Sequence, residues 1–374
     1  MCIVFLYNGL GLNSTSREGY QLILASNRDE WMDREATPAH SWEGEGCKGV
    51  WAGQDLVGGG TWLGIRVNEQ GMLERFGALT NVRCPEDGMN SHQDLSKWGY
   101  AILASITTMA AALRRGVNTR RSHQLLWWGA GAATAVAALT VTIARFKARY
   151  PRTKNLKGRG PLVLDFLKAD MTPEAYVQQL HESCEEYSPY NLLVGDRDGV
   201  QYASNAQPYS PALPVGVYAL SNTTMDSLEG KVLHGKSAFY SIVSQAMSGQ
   251  YSPEKLTSDL LAMLSDDTPR EPALGTGCSA SLEESLASVH INPVTLDDAG
   301  TPRLYGTRSS TVILVGRGGT TRLSRRTPSR PPLNKAKPLS LHLPHRLAER
   351  TIQGSSSSNE HDPPPVTCYY DLTS

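Results

Sequence analysis

The chain has 374 residues, 40% hydrophobic and 19% charged, enough for a large buried core, which excludes wholesale disorder, a collagen-like fibre and a small disulfide scaffold. Its 36 Lys and Arg balance 36 Asp and Glu, so no overall field draws it to nucleic acid or to an anionic membrane. The balance conceals an asymmetry: residues 301–350 carry eleven basic side chains and one acid, Glu349, whereas residues 1–300 carry 25 basic and 32 acidic.

Along the chain, residues 2–7 and 20–26 read as short β-rich runs joined by a Gly/Asn/Ser/Thr segment, and further short strands are predicted at 49–52, 61–67 and 76–82. Gly160–Ala169 and Thr172–Tyr187 read as helices, the second opened by Thr172-Pro173, where threonine can cap and proline suits the first turn. Strand character returns at 191–195, 200–203 and 215–221, helices at 230–247 and 253–264, and a β-branched strand at 309–315. The order predicts α+β layers rather than a regular βαβ winding.

Two stretches stand apart. Residues 125–144, LLWWGAGAATAVAALTVTIA, form an uncharged run of twenty flanked by arginines, the length of a bilayer span but only borderline in hydropathy. A membrane-crossing helix, a packed core helix and a poorly folded insertion remain open for it. Residues 317–374, with SRRTPSRPP, NKAKP, GSSSS and DPPP, predict a disordered basic tail. The expected layout is therefore a single domain over 1–91 and 156–316, an insertion over 92–155 and the tail.

The six cysteines, at 2, 47, 84, 184, 278 and 368, form no CxxC pair, which argues against a zinc ribbon or a disulfide framework and favours a reducing, cytoplasmic compartment. No metal-ligand spacing and no cofactor fingerprint is present. The N-terminus lacks the basic region and cleavage site of a secretory signal. Removal of Met1 would leave Cys2 with its thiol beside its own α-amine, a nucleophile and a base in one residue; the plain alternative is a small buried hydrophobe.

Asn27-Arg28-Asp29-Glu30 directly follows a strand. It can present an amide, a carboxylate-clamping guanidinium and two carboxylates to a cleft, or form a turn bonded to its own backbone. Gly58-Gly59-Gly60-Thr61-Trp62-Leu63-Gly64 can bring backbone N–H groups to an anion or simply turn tightly, and it lacks the Lys-Ser/Thr of a phosphate loop. Asn81 closes a strand where its amide can face an oxyanion, and Arg308 precedes a strand dense in hydroxyls, a second cation for an acidic ligand or an exposed strand-entry arginine.

Together MCI at the start, SNRDE at 26–30, GGTWLG at 59–64, ALTN at 78–81, GRGPLVLDFL at 158–167, YNLLVGD at 190–196, YALSN at 218–222 and YGTRSSTVIL at 305–314 closely resemble the transport and Golgi organization protein 2 family, also called the NRDE family. The resemblance implies a four-layer αββα sandwich like that of the N-terminal nucleophile hydrolases. It implies a role in Golgi organization, protein secretion and lipid homeostasis, at cytoplasmic, Golgi or mitochondrial locations, with a small acyl or tetrapyrrole (haem) ligand. Carried onto that architecture, Cys2 would be the nucleophile, Arg28 and Asp29 would tune it, Asn81 would hold an oxyanion and Arg308 would stabilise charge near the thiol. Asn27, Glu30, Thr61, Trp62, Asn191 and Asn222 become the expected ligand contacts. The chain departs from the family plan in the roughly 75 residues between the ALTN strand and the GRGPLV helix, and in the tail that replaces the usual last strand and helix.

Overall fold

The computed structural model describes residues 2–11, 19–83, 156–207, 212–249, 251–273, 276, 278–298, 300–327 and 366–372. The chain divides into two units, Met1–Asp87 with Lys157–Ser374, and Gly88–Leu156. Every described helix and strand belongs to the first. The predicted insertion 92–155 and its apolar run 125–144 lie outside the described residues. Among the described residues no helix is long and apolar enough to cross a membrane.

In chain order the elements are β1 (Cys2–Asn8), β2 (Tyr20–Trp31), β3 (His40–Ser41), β4 (Val50–Ala52), β5 (Leu63–Val67), β6 (Leu73–Asn81), α1 (Gly160–Lys168), α2 (Pro173–Ser183), β7 (Tyr190–Asp196), β8 (Val200–Ser204), β9 (Ala212–Leu213), β10 (Gly216–Leu220), α3 (Gly230–Met247), α4 (Pro253–Met263), α5 (Ala280–Ser285), β11 (Val294–Asp298), β12 (Thr301–Gly316), β13 (Thr321–Thr327) and β14 (Val366–Asp371). The first sheet has the order β10-β1-β2-β12-β13-β14, with β11 paired to the start of β12; the second is the meander β3-β4-β5-β6-β7-β8-β9. All named pairings are antiparallel.

Side-chain alternation explains the layering. Along β1, Val4 and Leu6 join Leu24, Ile65, Phe76 and Ile313 in the core between the two sheets. Ile3 and Phe5 point the other way, onto Phe239 of α3 and Leu260 of α4. A strand buried on both faces carries an unbroken apolar run, which is why CIVFLY does not alternate with polar residues. On the far side, Leu192 and Val194 of β7 pack on Val163 and Phe166 of α1 and Val177 and Leu180 of α2. The result is four layers, α3/α4, sheet, sheet, α1/α2. The helices begin as their sequences dictate: the Thr172 hydroxyl accepts from the Ala175 N–H at 3.2 Å with Pro173 in the first turn, and Ser252 caps α4 through Lys255 N–H at 3.2 Å.

Three expectations need correction. First, β2 does not stop at residue 26 but runs through Asn27–Trp31, because β12 continues to pair with it up to Tyr305. Second, α2 ends at Ser183 and a short 3₁₀ turn, Cys184–Glu186, follows.

Third, the predicted disordered tail supplies two strands. β13 pairs with β12 from Ser310↔Arg326 to Val315↔Thr321, and β14 pairs with β13. Its basic composition masked a period of two. Leu323 enters the core between the sheets. Arg322 instead reaches Glu254 at 2.6 Å and Arg326 reaches the Ser265 hydroxyl at 3.2 Å, both at the ends of α4.

Candidate functional site

The site follows from the pleat of three neighbouring strands. Cys2 of β1 lies opposite Arg28 of β2, and Arg28 lies opposite Ser309 of β12. Directly opposed residues share a face, so these three side chains form a row, and Val4, Ser26, Thr311 and Arg325 form the next one along. Both rows turn toward the second sheet.

Cys2 is a buried free thiol. The Asp29 backbone N–H donates to its sulfur; burial pushes the thiol above its ordinary pKa, and the Asp29 charge works in the same direction. Arg28, 4% exposed, places its guanidinium 4.2 Å from the Trp62 ring centroid and donates to Asp55 Oδ2 at 3.1 Å. Arg34 Nε holds the same oxygen at 2.7 Å. Partial burial raises the Asp55 carboxyl, but the Arg34 bond, the Gly58 N–H and the two guanidinium charges outweigh it and hold the group below the usual range.

Arg325 of β13 lies over the same Trp62 ring at 5.8 Å and donates to the Thr37 carbonyl at 3.1 Å. Trp62, Thr311 and Arg325 line a small cavity with Ala39, Gly53 and Leu323, of about 10 Å³, the space that one water needs. The Ser309 hydroxyl, in a residue 1% exposed, has no hydrogen-bond partner among the described residues.

The opposite face of β2 is bonded into the fold. Asn27 Nδ2 donates to the Leu264 and Val289 carbonyls, each at 2.8 Å, and its Oδ1 accepts from Ser310 at 2.7 Å. Asp29 Oδ1 accepts from the Thr307 hydroxyl at 2.6 Å, while the Tyr305 hydroxyl donates to its carbonyl at 2.8 Å. Burial raises the Asp29 carboxyl, and Lys231 and Thr307 oppose that rise. Lys231, itself buried and lowered by desolvation, donates to the Leu286 carbonyl at 2.8 Å. Deeper on this side Arg83 pairs with Glu283, which also accepts from Thr276 at 2.5 Å.

The other predicted residues are placed as follows. Arg308 sits at the β-bulge between Thr307 and Ser309 and donates to the Trp31 and Arg34 carbonyls. Glu30 accepts from the Trp31 N–H at 3.0 Å and stands 3.8 Å from Arg34. Thr61 donates to the Leu63 carbonyl at 3.1 Å. Asn81 offers its carbonyl to Asn222 Nδ2 at 2.9 Å. Asn191 donates to the Thr223 carbonyl at 2.9 Å and accepts from Tyr202 at 2.8 Å. Cys2, Arg28 and Trp62 therefore converge, with Asp29 reaching the sulfur through its backbone. The side chains of Asn27, Thr61, Asn191, Asn222 and Arg308 bond backbone carbonyls, and Asn27 and Asn191 also accept from the Ser310 and Tyr202 hydroxyls. Among the described residues no group of three or more His, Cys, Asp or Glu could hold a metal ion.

The glycine run resolves toward turn geometry. Val57 and Gly58 N–H groups bond Asp55 Oδ1 at 3.0 and 2.9 Å, so the anion in this loop is the chain's own carboxylate. Gly60 has no room for a side chain, since a Cβ there would lie 2.1 Å from the Gly160 carbonyl carbon, and Thr61 N–H bonds the Gly160 carbonyl at 3.2 Å. The GGTWLG and GRGPLV segments are thus joined in space.

Sequence reasoning missed Asp55, Thr307, Ser309, Lys231 and Arg325. The hydroxyls at 309 and 311, spaced by two, were the available signal for a polar strand face, whereas the bulge at Arg308 places Thr307 on the other side.

The segments that build this row lie within the part of the chain that matches known proteins. The Transport and Golgi organisation 2 family model matches residues 1–112 and 115–329. The Transport and Golgi organization protein 2 homolog of Bos taurus is 27% identical over 331 residues, covering 85% of this chain and 90% of that relative. Transport and Golgi organization protein 2 of Drosophila melanogaster is 25% identical over 337 residues, covering 84% and 88%. Among solved structures, the N-acylethanolamine-hydrolyzing acid amidase ortholog of Caenorhabditis elegans is similar at 11% identity and a TM-score of 0.35, over 85% of this chain and 93% of that one. With a family match that runs from the first strand through β13, the chain belongs to the Transport and Golgi organisation 2 family.

Proposed function

We propose that this chain serves Golgi organization and protein secretion as a ligand-binding protein whose crevice beside Cys2 takes a small acyl ligand. The observation that carries the reading is the alignment of Cys2, Arg28 and Ser309 across three strands, facing Trp62, which itself lines a small cavity. A narrow acyl end suits a water-sized opening better than a flat tetrapyrrole does. Four αββα layers with the nucleophile candidate on the first strand also match the plan of the N-terminal nucleophile hydrolases, an analogy of fold and not of turnover.

The second reading is a cysteine hydrolase cleaving an amide or thioester, favoured by the Asp29 N–H on the sulfur. Against it, burial keeps the thiol protonated, which removes the thiolate that a fast nucleophile needs. Turnover would then depend on the α-amine exposed by loss of Met1 acting as base.

An octanoyl thioester separates the two readings. The binder retains the intact thioester stoichiometrically in equilibrium dialysis, with or without Cys2→Ser. The hydrolase releases thiol only when Met1 has been removed, and Cys2→Ser abolishes that release. Neither retention nor release by the wild-type protein overturns both readings.

A further inference from the structure

We infer that Asp55 is a positioning residue for the Cys2 thiol, acting through Arg28. Its carboxylate holds and partly neutralises the guanidinium beside the sulfur, and Arg34 sets how much of that carboxylate is left for Arg28. The inference goes beyond the ligand reading above, because it concerns the charge felt by the sulfur and holds for a binder and a hydrolase alike.

The geometry divides the two oxygens of Asp55 between two tasks. Oδ1 accepts from the Val57 and Gly58 N–H groups at 3.0 and 2.9 Å. The Gly59 N–H bonds the Asp55 carbonyl at 2.7 Å, and the Asp55 N–H closes the loop onto the Gly60 carbonyl at 2.9 Å. A turn of this kind needs one side-chain acceptor and no charge, so asparagine would serve it as well. Oδ2 is left over from the turn and points to two guanidinium groups, Arg28 at 3.1 Å and Arg34 Nε at 2.7 Å. Arg28 in turn stands directly opposite Cys2 on the same face of neighbouring strands.

The charges around the sulfur give that second oxygen its effect. Burial raises the Cys2 thiol, the α-amine at the chain start and Arg28 work against the rise, and the Asp29 charge adds to it. Lys231 and His290 face Asp29 from the other side of β2. From the second sheet the Trp62 ring faces Arg28. Among the described residues Asp55 is the acid that pairs with Arg28, which is 4% exposed. In so dry a place a carboxylate at this distance cancels much of the field of a guanidinium. Partial burial notwithstanding, the Arg34 bond keeps the Asp55 carboxyl below the usual range, so the cancelling charge is present at neutral pH.

The test reads the thiolate fraction of Cys2 in the full chain at about pH 9, by carbon-13 NMR of protein labelled at the cysteine Cβ. Cys2→Ser assigns the signal, and intact mass confirms the same N-terminus in every variant. Asp55→Asn keeps the acceptor for Val57 and Gly58 and removes the charge. It should raise the thiolate fraction about fivefold, the scale of one altered charge near a buried group. Asp55→Glu should restore most of the wild-type value. Arg34→Gln, at a side chain 30% exposed, should lower the fraction several-fold, since Asp55 then turns wholly to Arg28. Both changes loosen the same loop, so opposite signs separate a charge effect from a structural one. In an Arg28→Gln background, Asp55→Asn should leave the fraction within about twofold.

An unchanged fraction in Asp55→Asn, or a rise in Arg34→Gln, overturns the inference and makes Asp55 a turn residue. A full rise that persists in the Arg28→Gln background overturns the route through Arg28. Should Arg28→Gln fail to fold, Arg34→Gln and Asp55→Glu decide the question.

Discussion

The two faces of β2 at residues 27–30 differ sharply. On the helix side, Asn27 and Asp29 are bonded on several sides to β12 and to the segments after α4 and α5. On the inner side, Arg28 stands over the Trp62 ring, in line with the Cys2 thiol and with the Ser309 hydroxyl, which has no partner among the described residues. A four-residue motif that reads as one functional unit is divided by the pleat into a half that holds the layers together and a half that faces the space between the sheets. Adjacent residues of a strand motif therefore predict different mutant phenotypes.

The largest effect should come from the helix side. Asn27→Ala leaves two buried carbonyls and the Ser310 hydroxyl without their partner, and should cost about 4 kcal/mol in urea unfolding. A loss under about 1 kcal/mol would erase the contrast between the faces.

Arg28→Ala should cost less, about 2 kcal/mol, because Arg34 keeps Asp55 partnered although the contact with Trp62 is lost. It should also weaken acyl binding, which the Asn27 side does not touch directly. A variant destabilised as strongly as Asn27→Ala would make Arg28 a structural residue as well.

The smallest effect sharpens the comparison through pH. Burial holds His290 below the ordinary imidazole value of 6.5, while Asp29 and Asp267 oppose that shift. A depressed folded-state pKa means that the unfolded chain takes up the proton first. The stability it contributes is complete above about pH 6.5 and is lost as pH falls through the folded-state value. Melting temperatures should drop between about pH 7.5 and about pH 5.5, and His290→Gln should flatten part of that slope. An unchanged slope would remove His290 from the account.

Much of the architecture was legible because it rests on local signals. Proline after Thr172 and Ser252, apolar spacing in α1 and α3, and β-branched runs at 309–315 act through nearby residues. The extension of β2 through Asn27–Trp31 was not legible, since polar residues enter a strand only when distant groups satisfy them. Here those groups are Ser310, Thr307 and carbonyls from residues 264 and 289. β13 was hidden for the opposite reason: arginines that suggest solvent find acceptors on α4 and at Thr37 only after the sheet has formed. In the site, Cys2 and Arg28 could be singled out by type and position. The contacts of Arg308 with the Trp31 and Arg34 carbonyls were not legible, because they follow from a bulge, a one-residue register shift in β12.

β13 has a consequence for synthesis. The first sheet joins β1 to the much later β12 and β13, so it is complete only late in translation. A nascent chain that has emerged only as far as Gly316 presents β12 as a bare hydrogen-bonding edge, the kind of surface that recruits other strands. A premature stop between β12 and β13 would therefore release a product inclined to self-associate, with the first sheet open along β12.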